Sequence, residues 1–523
     1  MPALIVYMLT GLLLSRVLFS ERKVTVRCWL GLVFGCVIMM WLPCLAAFAF
    51  GFTEAAQITA CVVCMVCSGG LLAALWRRER RAFNAAPEMS LSRSDGVGLI
   101  VSLACTIFCA YLLHTHVLMP ARDGSLWVGQ STYGDLAMHL GFIESLYRQG
   151  TFPPEYSIYP GQTLNYPFLV DAASAGLRFF GMSLRMSVIA PSLVMLLCVF
   201  WGFWNLADML TDRLAPTLMS WLLFTANGGF GFVLFLGKYR FSEIFTGFYT
   251  TPTNFTPEDI RWSNVICDML IPQRATMAGW CVLPAAIFLL ITALDKMLSG
   301  GGRKEIITLG VLAGAMPMIH THSFLALGIL SAAWFFAALP AARRRGRLKN
   351  LVTGYVLYGV ICLIPAALQF FRWTAHSVAS GNLLQPHFGW VVGANGALTG
   401  WFPFFIVNIG VVFIVMWPML PSLRGEALTL FIGAAAIFVL SNLIAFQPNL
   451  YDNNKLLYVW FMLTDILICD WLWCIIDLAP RRWLRSAVAV CLVFLGTFSG
   501  FLTMLREAVS GYQLFSAEQT AAP

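Results

Sequence analysis

The residues best suited to chemistry are polar side chains that interrupt long apolar stretches. The first group, in residues 129–150, contains Asp135 and His139, four residues apart. An apolar stripe at helical spacing accompanies them: Leu136, Leu140, Ile143 and Tyr147. The pattern predicts an interfacial helix on which Asp135 acts as a general base while His139 orients it or binds an acceptor. The alternative is structural, with Thr132 capping the helix and Asp135 in its first turn.

A second group follows at once and is rich in proline, glycine and tyrosine. It runs through Pro-Pro-Glu, Tyr-Pro-Gly and Leu-Asn-Tyr-Pro elements to Asp171. Proline and glycine force turns here. Tyr159, Asn165 and Tyr166 are candidate substrate-binding residues, because such side chains at a membrane surface suit a carbohydrate or a lipid head group. A tyrosine of the interfacial aromatic belt is the alternative for each.

Cations and histidines form the next two groups. Arg274 starts an apolar span, where its planar fork suits a phosphate, and Gln273 beside it is a candidate substrate ligand. The alternative for Arg274 is a snorkelling side chain. His320 and His322 are candidate substrate-binding residues that act as neutral hydrogen-bonding groups. Half of a divalent metal site, completed by Asp135 or His139, is the other interpretation. We therefore predict no certain cofactor and leave a divalent metal open.

The last group is a dense polar turn at residues 446–455. Its carboxamides and carboxylate, Asn449, Asp452 and Asn453, match the hydrogen-bonding needs of sugar hydroxyls. Lys455 at the head of the following apolar run is a point charge suited to a donor phosphate. The alternative is a solvated loop with a snorkelling lysine.

These groups must be positioned by a membrane protein. The chain has 523 residues, of which 59% are hydrophobic and 11% charged, whereas soluble domains have about 25% charged residues. A soluble enzyme and a disordered chain are thereby excluded. The apolar runs predict an all-α integral membrane protein with about 14 transmembrane helices. We place them at 3–19, 28–52, 57–76, 96–118, 186–211, 214–237, 276–294, 305–319, 323–340, 351–371, 401–420, 426–445, 455–478 and 486–505.

The distribution of charge predicts the topology. The net charge of +8 comes from lysines and arginines clustered in short connections, where they mark the cytoplasmic side rather than a nucleic-acid surface. Both termini and two structured loops, 119–185 and 238–275, are then external. We interpret the first apolar run as a retained helix, because it lacks the basic region and cleavage pattern of a signal peptide. The polar groups all fall on the external side.

Two further observations bear on the class of protein. The 15 cysteines lie almost entirely in or beside apolar spans, so they predict no disulfide framework, and the spacing of Cys61, Cys64 and Cys67 favours packing over metal binding. Asp465 and Asp470 lie within a predicted span. Carboxylates there indicate function by default and fit a proton-coupled transporter. Pairing with Asn442 or with a buried arginine or lysine is the alternative.

Taken in order, these groups resemble the polytopic glycosyltransferases of the GT-C superfamily. The resemblance rests on the Gly-Asp-x-x-x-His, Pro-Gln-Arg, His-x-His-Ser and Asp-Asn-x-Lys elements, spread over residues 100–480. It implies an inverting hexosyl- or pentosyltransferase of the bacterial cytoplasmic membrane, with a polyprenyl-phosphate-linked donor outside the cytoplasm. Asp135 would be the general base, and Arg274 and Lys455 would hold the donor phosphate. No nucleic acid partner is implied.

The resemblance also implies a division of the chain. Residues 1–95 would form N-terminal transmembrane helices and a cytoplasmic loop, 96–505 the catalytic core, and 506–523 a short external tail. The implied partners are the lipid-linked sugar, a glycan or lipid acceptor, and membrane lipids. Two other functions stay open: a flippase or transporter for lipid-linked glycans, and a polymerase or ligase of the O-antigen type that uses diphosphate-linked donors.

Overall fold

A computed structural model describes residues 2–81, 91–375 and 384–521. The chain is a helical bundle with small antiparallel strands at one end. The helices are α1 (Pro2–Leu18), α2 (Val24–Phe50), α3 (Glu54–Arg81), α4 (Arg93–His116), α5 (Asp135–Gln149), α6 (Leu169–Arg178), α7 (Leu184–Thr211), α8 (Leu214–Thr225), α9 (Gly231–Lys238), α10 (Glu243–Thr246), α11 (Arg274–Ser299), α12 (Arg303–Ala315), α13 (Thr321–Arg344), α14 (Leu348–Gln369), α15 (Trp401–Ile409), α16 (Val411–Met419), α17 (Gly425–Leu443), α18 (Asn454–Ile476), α19 (Arg482–Val509) and α20 (Ala517–Ala521).

Each predicted span overlaps a helix, but the helices differ in length. Within the described ranges, ten are long and apolar enough to cross a membrane, and the bent pair α15 and α16 makes eleven if it counts as one span. Helices α1 and α8 are apolar but shorter, and α12 has only 13 residues. The chain is thus a multi-pass membrane protein by length and composition, while the count of 14 spans stays a prediction.

Two predicted spans are interrupted. The prediction of one helix over 214–237 is wrong, because α8 ends at Thr225 and α9 begins only at Gly231. The span 401–420 breaks at Gly410, whose φ is 70°, and α15 and α16 meet at an angle of 114°. The two breaks touch: the Phe230 N–H donates to the Val407 carbonyl at 2.7 Å. A main-chain N–H at the first break, which has no partner in its own helix, is therefore hydrogen-bonded to a carbonyl next to the second break.

Short strands lie in the connections at one end of the bundle. The strands are β1 (Met119–Pro120), β2 (Leu126–Val128), β3 (Glu155–Tyr156), β4 (Tyr159–Thr163), β5 (Gln385–Pro386), β6 (Ile444–Ala445) and β7 (Tyr512–Phe515). β1, β2 and β7 form an antiparallel sheet, so the C-terminal segment adds a strand to the first long loop. β3 pairs with β4, and β5 pairs with β6.

The two ends of the bundle differ in chemistry, as the charge pattern predicts. At one end the basic connections contact one another: Lys304 pairs with Glu21, and Lys23 lies 3.8 Å from Asp95 and 3.7 Å from Asp208. At the other end lie the polar groups, linked by main-chain bonds. One such bond joins the Leu169 N–H to the Met318 carbonyl at 3.4 Å. Which end faces the exterior stays a prediction.

Candidate functional site

Asp135 is the first residue of α5, and its side chain is exposed. No described residue hydrogen-bonds its carboxylate. The structural alternative, capping of this helix by Thr132, is wrong, since the Thr132 hydroxyl donates to the His116 carbonyl at 3.1 Å and accepts from the Gly129 N–H at 3.0 Å. Asp135 thus presents an open carboxylate at the polar end of the bundle.

His139 lies one turn further along α5 and is buried. Its Nδ1 atom is 2.8 Å from Oδ2 of Asp171, and Oδ1 of Asp171 is 2.8 Å from Nε of Arg274. Another Arg274 nitrogen, Nη2, donates to Oγ of Ser174 at 2.6 Å. His139, Asp171 and Arg274 come from α5, α6 and α11, respectively. They form a buried triad that joins the first long loop to a central helix.

The triad changes the interpretation of Arg274. Its side chain is 3% exposed, Nε bonds Asp171 and Nη2 bonds Ser174, while Nη1 is buried without a hydrogen-bond partner among the described residues. A buried ion pair is not readily opened, because each partner would be left unpaired in a low dielectric. We therefore leave Arg274 out of the proposed phosphate site.

The ring of Tyr166 contacts the His139 ring of the triad. Its ring centroid is 5.8 Å from that of His139. Burial raises the pKa of the Tyr166 phenol, and the carboxylates of Asp171, Asp135 and Asp452 raise it further. Acids from α5, α6 and the turn before α18 thus act on one phenol. The structure brings together three groups that are far apart in the sequence.

Lys455 lies in the first turn of α18. Its ammonium is 3.3 Å from Oδ1 of Asp452, whose second oxygen accepts a bond from the Gln447 amide. Burial lowers the pKa of His320 well below its usual range, and His322 and Lys455 add to the effect. The rings of His320 and His322 are 5.5 Å apart. Lys455 and the two histidines therefore form one cluster.

His320 itself is tied into the protein. Its Nδ1 is 2.7 Å from the Ser323 hydroxyl, and its Nε2 is 3.4 Å from the Thr276 hydroxyl. His322 is half-buried. Within the described ranges, no third histidine or acidic side chain joins this pair closely enough to complete a metal site. The cluster is therefore better suited to hydrogen bonding and anion contact.

Several predicted substrate ligands hold local structure. Asn453 is 1% exposed and donates to the carbonyls of Ser441 and Ile444 while accepting from the Phe446 N–H. Asn449 is exposed and accepts from the Tyr451 N–H at 3.3 Å. Both amides thus shape the turn that positions Asp452.

The other three predicted ligands lie in the two long loops. The Gln273 amide accepts from the Thr276 hydroxyl at 2.9 Å and contacts the Asp268 carbonyl at 3.4 Å. With its amide oriented to donate, Asn165 bonds the Trp373 carbonyl at 2.9 Å. Tyr159 is exposed on the β3–β4 hairpin. Of the three, only Tyr159 has a side chain that projects into solvent.

Asp171 and Asp268 lie at this end of the bundle, and the sequence pattern assigns no role to either. Asp268 lies in a π-helical turn, Val265–Leu270, where it accepts from the Tyr249 hydroxyl at 3.1 Å and the Asn264 N–H at 3.0 Å. Burial and then Glu507 raise the pKa of Asp268 to about 7. An acid inside an otherwise apolar six-residue run was the available signal.

The intramembrane acids have different surroundings. Asp470 is paired with Arg213 at 2.7 Å, but this arginine is 37% exposed and not the buried cation of the structural alternative. Asp465 is fully buried; it accepts from the Cys469 thiol at 3.3 Å, and its Oδ2 has no hydrogen-bond partner among the described residues. Asp465 is therefore the acid of this pair that keeps a functional interpretation.

The cysteines contain one close group. Cys36, Cys198 and Cys281, from α2, α7 and α11, are buried with their sulfur atoms within 4.8 Å of one another. The Cys61 thiol lies 3.6 Å from the Tyr7 hydroxyl, whereas Cys67 is exposed. The sequence pattern gave no indication of the three-thiol group, because its members are far apart along the chain.

Comparison with known proteins finds no matching protein family and no matching curated protein. Three solved structures show a weak likeness. The archaeal oligosaccharyltransferase AglB from Archaeoglobus fulgidus, in complex with an inhibitory peptide and a dolichol-phosphate, has a TM-score of 0.45 and 12% identity over 80% of this chain and 56% of that chain. The same organism's oligosaccharyltransferase, tethered with an acceptor peptide, has a TM-score of 0.45 and 11% identity over 78% of this chain and 55% of that chain.

The third structure is the apo form of the Archaeoglobus fulgidus oligosaccharyltransferase. It has a TM-score of 0.42 and 11% identity over 79% of this chain and 56% of that chain. The chain thus spans little more than half the length of these proteins. Similarity at this level assigns neither a family nor an activity, so the function has to be argued from the site itself.

Proposed function

We propose that the protein transfers a sugar from a polyprenyl-phosphate-linked donor to a glycan or lipid acceptor at the outer face of the bacterial cytoplasmic membrane. The observation that carries this proposal is the convergence at Tyr166 and Lys455. The Tyr166 ring lies 5.8 Å from that of His139, and the Asp452 carboxylate that raises the pKa of the Tyr166 phenol also lies 3.3 Å from the Lys455 ammonium. This neighbourhood supports a site in which groups suited to sugar hydroxyls lie near a cation suited to phosphate.

The proposed roles follow from these contacts. Lys455, with the half-buried His322, holds the donor phosphate, while Tyr166 and Asp452 bind sugar hydroxyls. The acceptor oxygen attacks the anomeric carbon as the bond from that carbon to the phosphate oxygen breaks, which inverts the configuration. The carrier leaves as polyprenyl phosphate. The acceptor proton passes to one of the two groups on α5, Asp135 or His139.

The orientation in the membrane is part of the proposal. Short basic connections stay in the cytoplasm. Because the basic connections meet at one end of the bundle and the candidate site lies at the other, the site would face the outer compartment. A carrier lipid in the outer leaflet could then present its head group to the site directly.

Release of the carrier tests the proposal. Purified protein is incubated with a panel of polyprenyl-phosphate and polyprenyl-diphosphate sugars and candidate acceptors, and free carrier is measured. We expect release by the parent protein and a loss in Asp135→Asn or Lys455→Gln. Lys304→Gln, at the opposite end, is the control. Release only from diphosphate donors would instead indicate a polymerase or ligase. If the folded protein released no carrier from any donor of the panel, that result would contradict a transferase.

A flippase for lipid-linked glycans is the second candidate, and two observations favour it. Asp465 is a buried acid whose Oδ2 has no hydrogen-bond partner among the described residues, and two interrupted helices touch near Gly229 and Gly410. Both are features of membrane transporters. Transbilayer movement of a lipid-linked glycan in vesicles, abolished in Asp465→Asn, would favour this function over transfer.

A further inference from the structure

Among the described residues, three histidines are almost completely buried, and their hydrogen bonds differ. His116 and His139 are 1% exposed and His320 is 3% exposed. Both nitrogens of His116 are occupied, Nε2 by Glu507 at 3.0 Å and Nδ1 by the Thr115 hydroxyl at 2.8 Å. Both nitrogens of His320 are also occupied. In both rings each nitrogen has a hydrogen-bonding partner within the protein, as is typical of structural histidines.

His139 is the exception. Its Nδ1 bonds Asp171, but no described residue hydrogen-bonds its Nε2. In the described part of the chain, His139 Nε2 is not one of the fully buried polar atoms that lack a hydrogen-bond partner. The ring packs edge-on against Tyr166, in the region where the acids of the candidate site meet. The unpaired nitrogen therefore belongs to the candidate site rather than to the protein interior alone.

The surroundings of Asp171 determine which nitrogen carries the proton. A carboxylate only accepts hydrogen bonds, so Nδ1 of His139 is the donor, and in the neutral form of the ring Nε2 carries the lone pair. Arg274 supplies the opposite charge to the other oxygen of Asp171 at 2.8 Å. This is the arrangement in which a carboxylate orients an imidazole so that its far nitrogen takes a proton from a hydroxyl.

We propose that His139 Nε2, oriented by Asp171, accepts the proton of the attacking acceptor hydroxyl; this inference rests on the transfer reaction proposed above. As the oxygen bonds to the anomeric carbon, its proton moves to Nε2, and the carbon–oxygen bond to the carrier phosphate breaks with its electron pair. Asp171 is a positioning residue, and the counter-charge on Arg274 stabilises it. Asp135, exposed at the start of α5, then binds the acceptor instead of taking its proton.

A spectroscopic measurement tests the tautomer without any substrate. The intact protein is labelled with ¹⁵N-histidine, reconstituted in lipid and examined by solid-state NMR at pH 8, with the His139 signals assigned from His139→Gln. We expect a protonated Nδ1 and an unprotonated Nε2. Asp171→Asn should change this pattern. Glu507→Gln, which alters the matched His116 pair, should not. A protonated Nε2 on a neutral ring would overturn the inference.

Turnover tests the role in the reaction. We expect Asp171→Asn to lower kcat for carrier release by about 100-fold or more, because general base catalysis contributes about 10²–10⁴, with little change in KM. Asp135→Asn should act mainly on KM. His139→Ala should lose activity and regain part of it with added imidazole, a recovery that a purely structural histidine would not show. Wild-type activity in His139→Gln would overturn the inference.

The two proposals fail in different ways. If the parent protein releases no carrier from any donor while the NMR signals are as expected, the transfer function is wrong, and proton acceptance by His139 in that reaction falls with it. If release occurs but depends on Asp135 through kcat and not on His139, the function stands and this assignment is wrong.

Discussion

Gly229 and Gly410 touch where two interrupted helices cross: a Cβ added to Gly410 would lie 3.1 Å from the Gly229 Cα. Gly410 also has a φ of 70°, a conformation that glycine adopts without steric cost. The contact brings the break between α8 and α9 against the break between α15 and α16. The fold therefore depends on two small residues about 180 positions apart in the sequence.

Replacing Gly229 by alanine should destabilise the protein. The added Cβ would lie 2.0 Å from the Val407 carbonyl oxygen and 2.3 Å from that of Asn408, and such overpacking costs about 1–3 kcal/mol. Gly237→Ala, in α9 with open space around it, is the matched control and should be neutral or stabilising. Thermal unfolding in detergent measures both; equal melting temperatures would refute the close contact.

Replacing Asp268 by asparagine should stabilise the protein at neutral and higher pH. Its pKa in the folded state is raised to about 7 by burial and by Glu507, so the folded state favours the protonated acid. The protonated acid contributes its whole share of the unfolding free energy below about pH 4, and this contribution is lost as the pH rises through 7. A shift of this size corresponds to at most about 4 kcal/mol. The gain from Asp268→Asn should therefore grow between pH 5 and pH 8 in unfolding experiments, and a constant difference would contradict it.

Asp259 should respond in the opposite way. It is buried, and although burial alone would raise its pKa, hydrogen bonds from Leu398 and Asn395 outweigh that effect and lower the pKa. The stability it contributes is present above about pH 4 and is lost as the pH falls through the lowered pKa. Asp259→Asn should cost about 2–3 kcal/mol at pH 7 and progressively less in acid. Measuring this variant and Asp268→Asn in the same pH series provides an internal control, because their changes in unfolding free energy should have opposite signs at pH 7.

Removing the charge of Lys455 should reduce activity more than stability. The lysine is only partly exposed, with Asp452 at 3.3 Å, and Asp452 keeps its bond from Gln447 when the lysine is lost. In the proposed reaction, Lys455→Gln should lower carrier release at least tenfold through weaker phosphate binding, about 1.4 kcal/mol. Melting temperatures of this variant and of Lys304→Gln should both stay close to that of the parent. A large loss of stability in Lys455→Gln alone would show that the lysine is structural.

Much of the architecture can be predicted from composition and order. Every predicted span overlaps a helix, and the basic connections meet at the opposite end from the polar groups, because a bilayer demands apolar segments of a certain length and charges outside them. The interruptions at Gly229 and Gly410 were missed. An apolar run of 24 residues has the same pattern whether it is continuous or broken. The break after α8 is stabilised by contacts with distant segments, such as the bond from the Ser499 hydroxyl to the Gly229 carbonyl at 2.7 Å.

The sequence allows prediction of the residues that form the candidate site, but not of which side chains pair with one another there. Asp135, His139, Tyr166 and Lys455 stand out in the sequence as polar groups among apolar runs, and the structure places them at one end of the bundle. The sequence alone suggested a phosphate-binding role for Arg274, because a free arginine at a helix start suits that purpose. The structure instead pairs it with Asp171, 103 positions away.

Sequence by itself thus determined that this is a helical membrane protein with its polar chemistry concentrated at one end. Hydropathy and charge decide this locally, since each segment is sorted between lipid and water on its own. Tertiary structure alone decided which of the polar side chains are free to act. A buried charge must be neutralised by a neighbour in space. Only the fold shows that Asp171 takes Arg274 as its partner and orients His139, leaving one nitrogen of that ring open toward the candidate site.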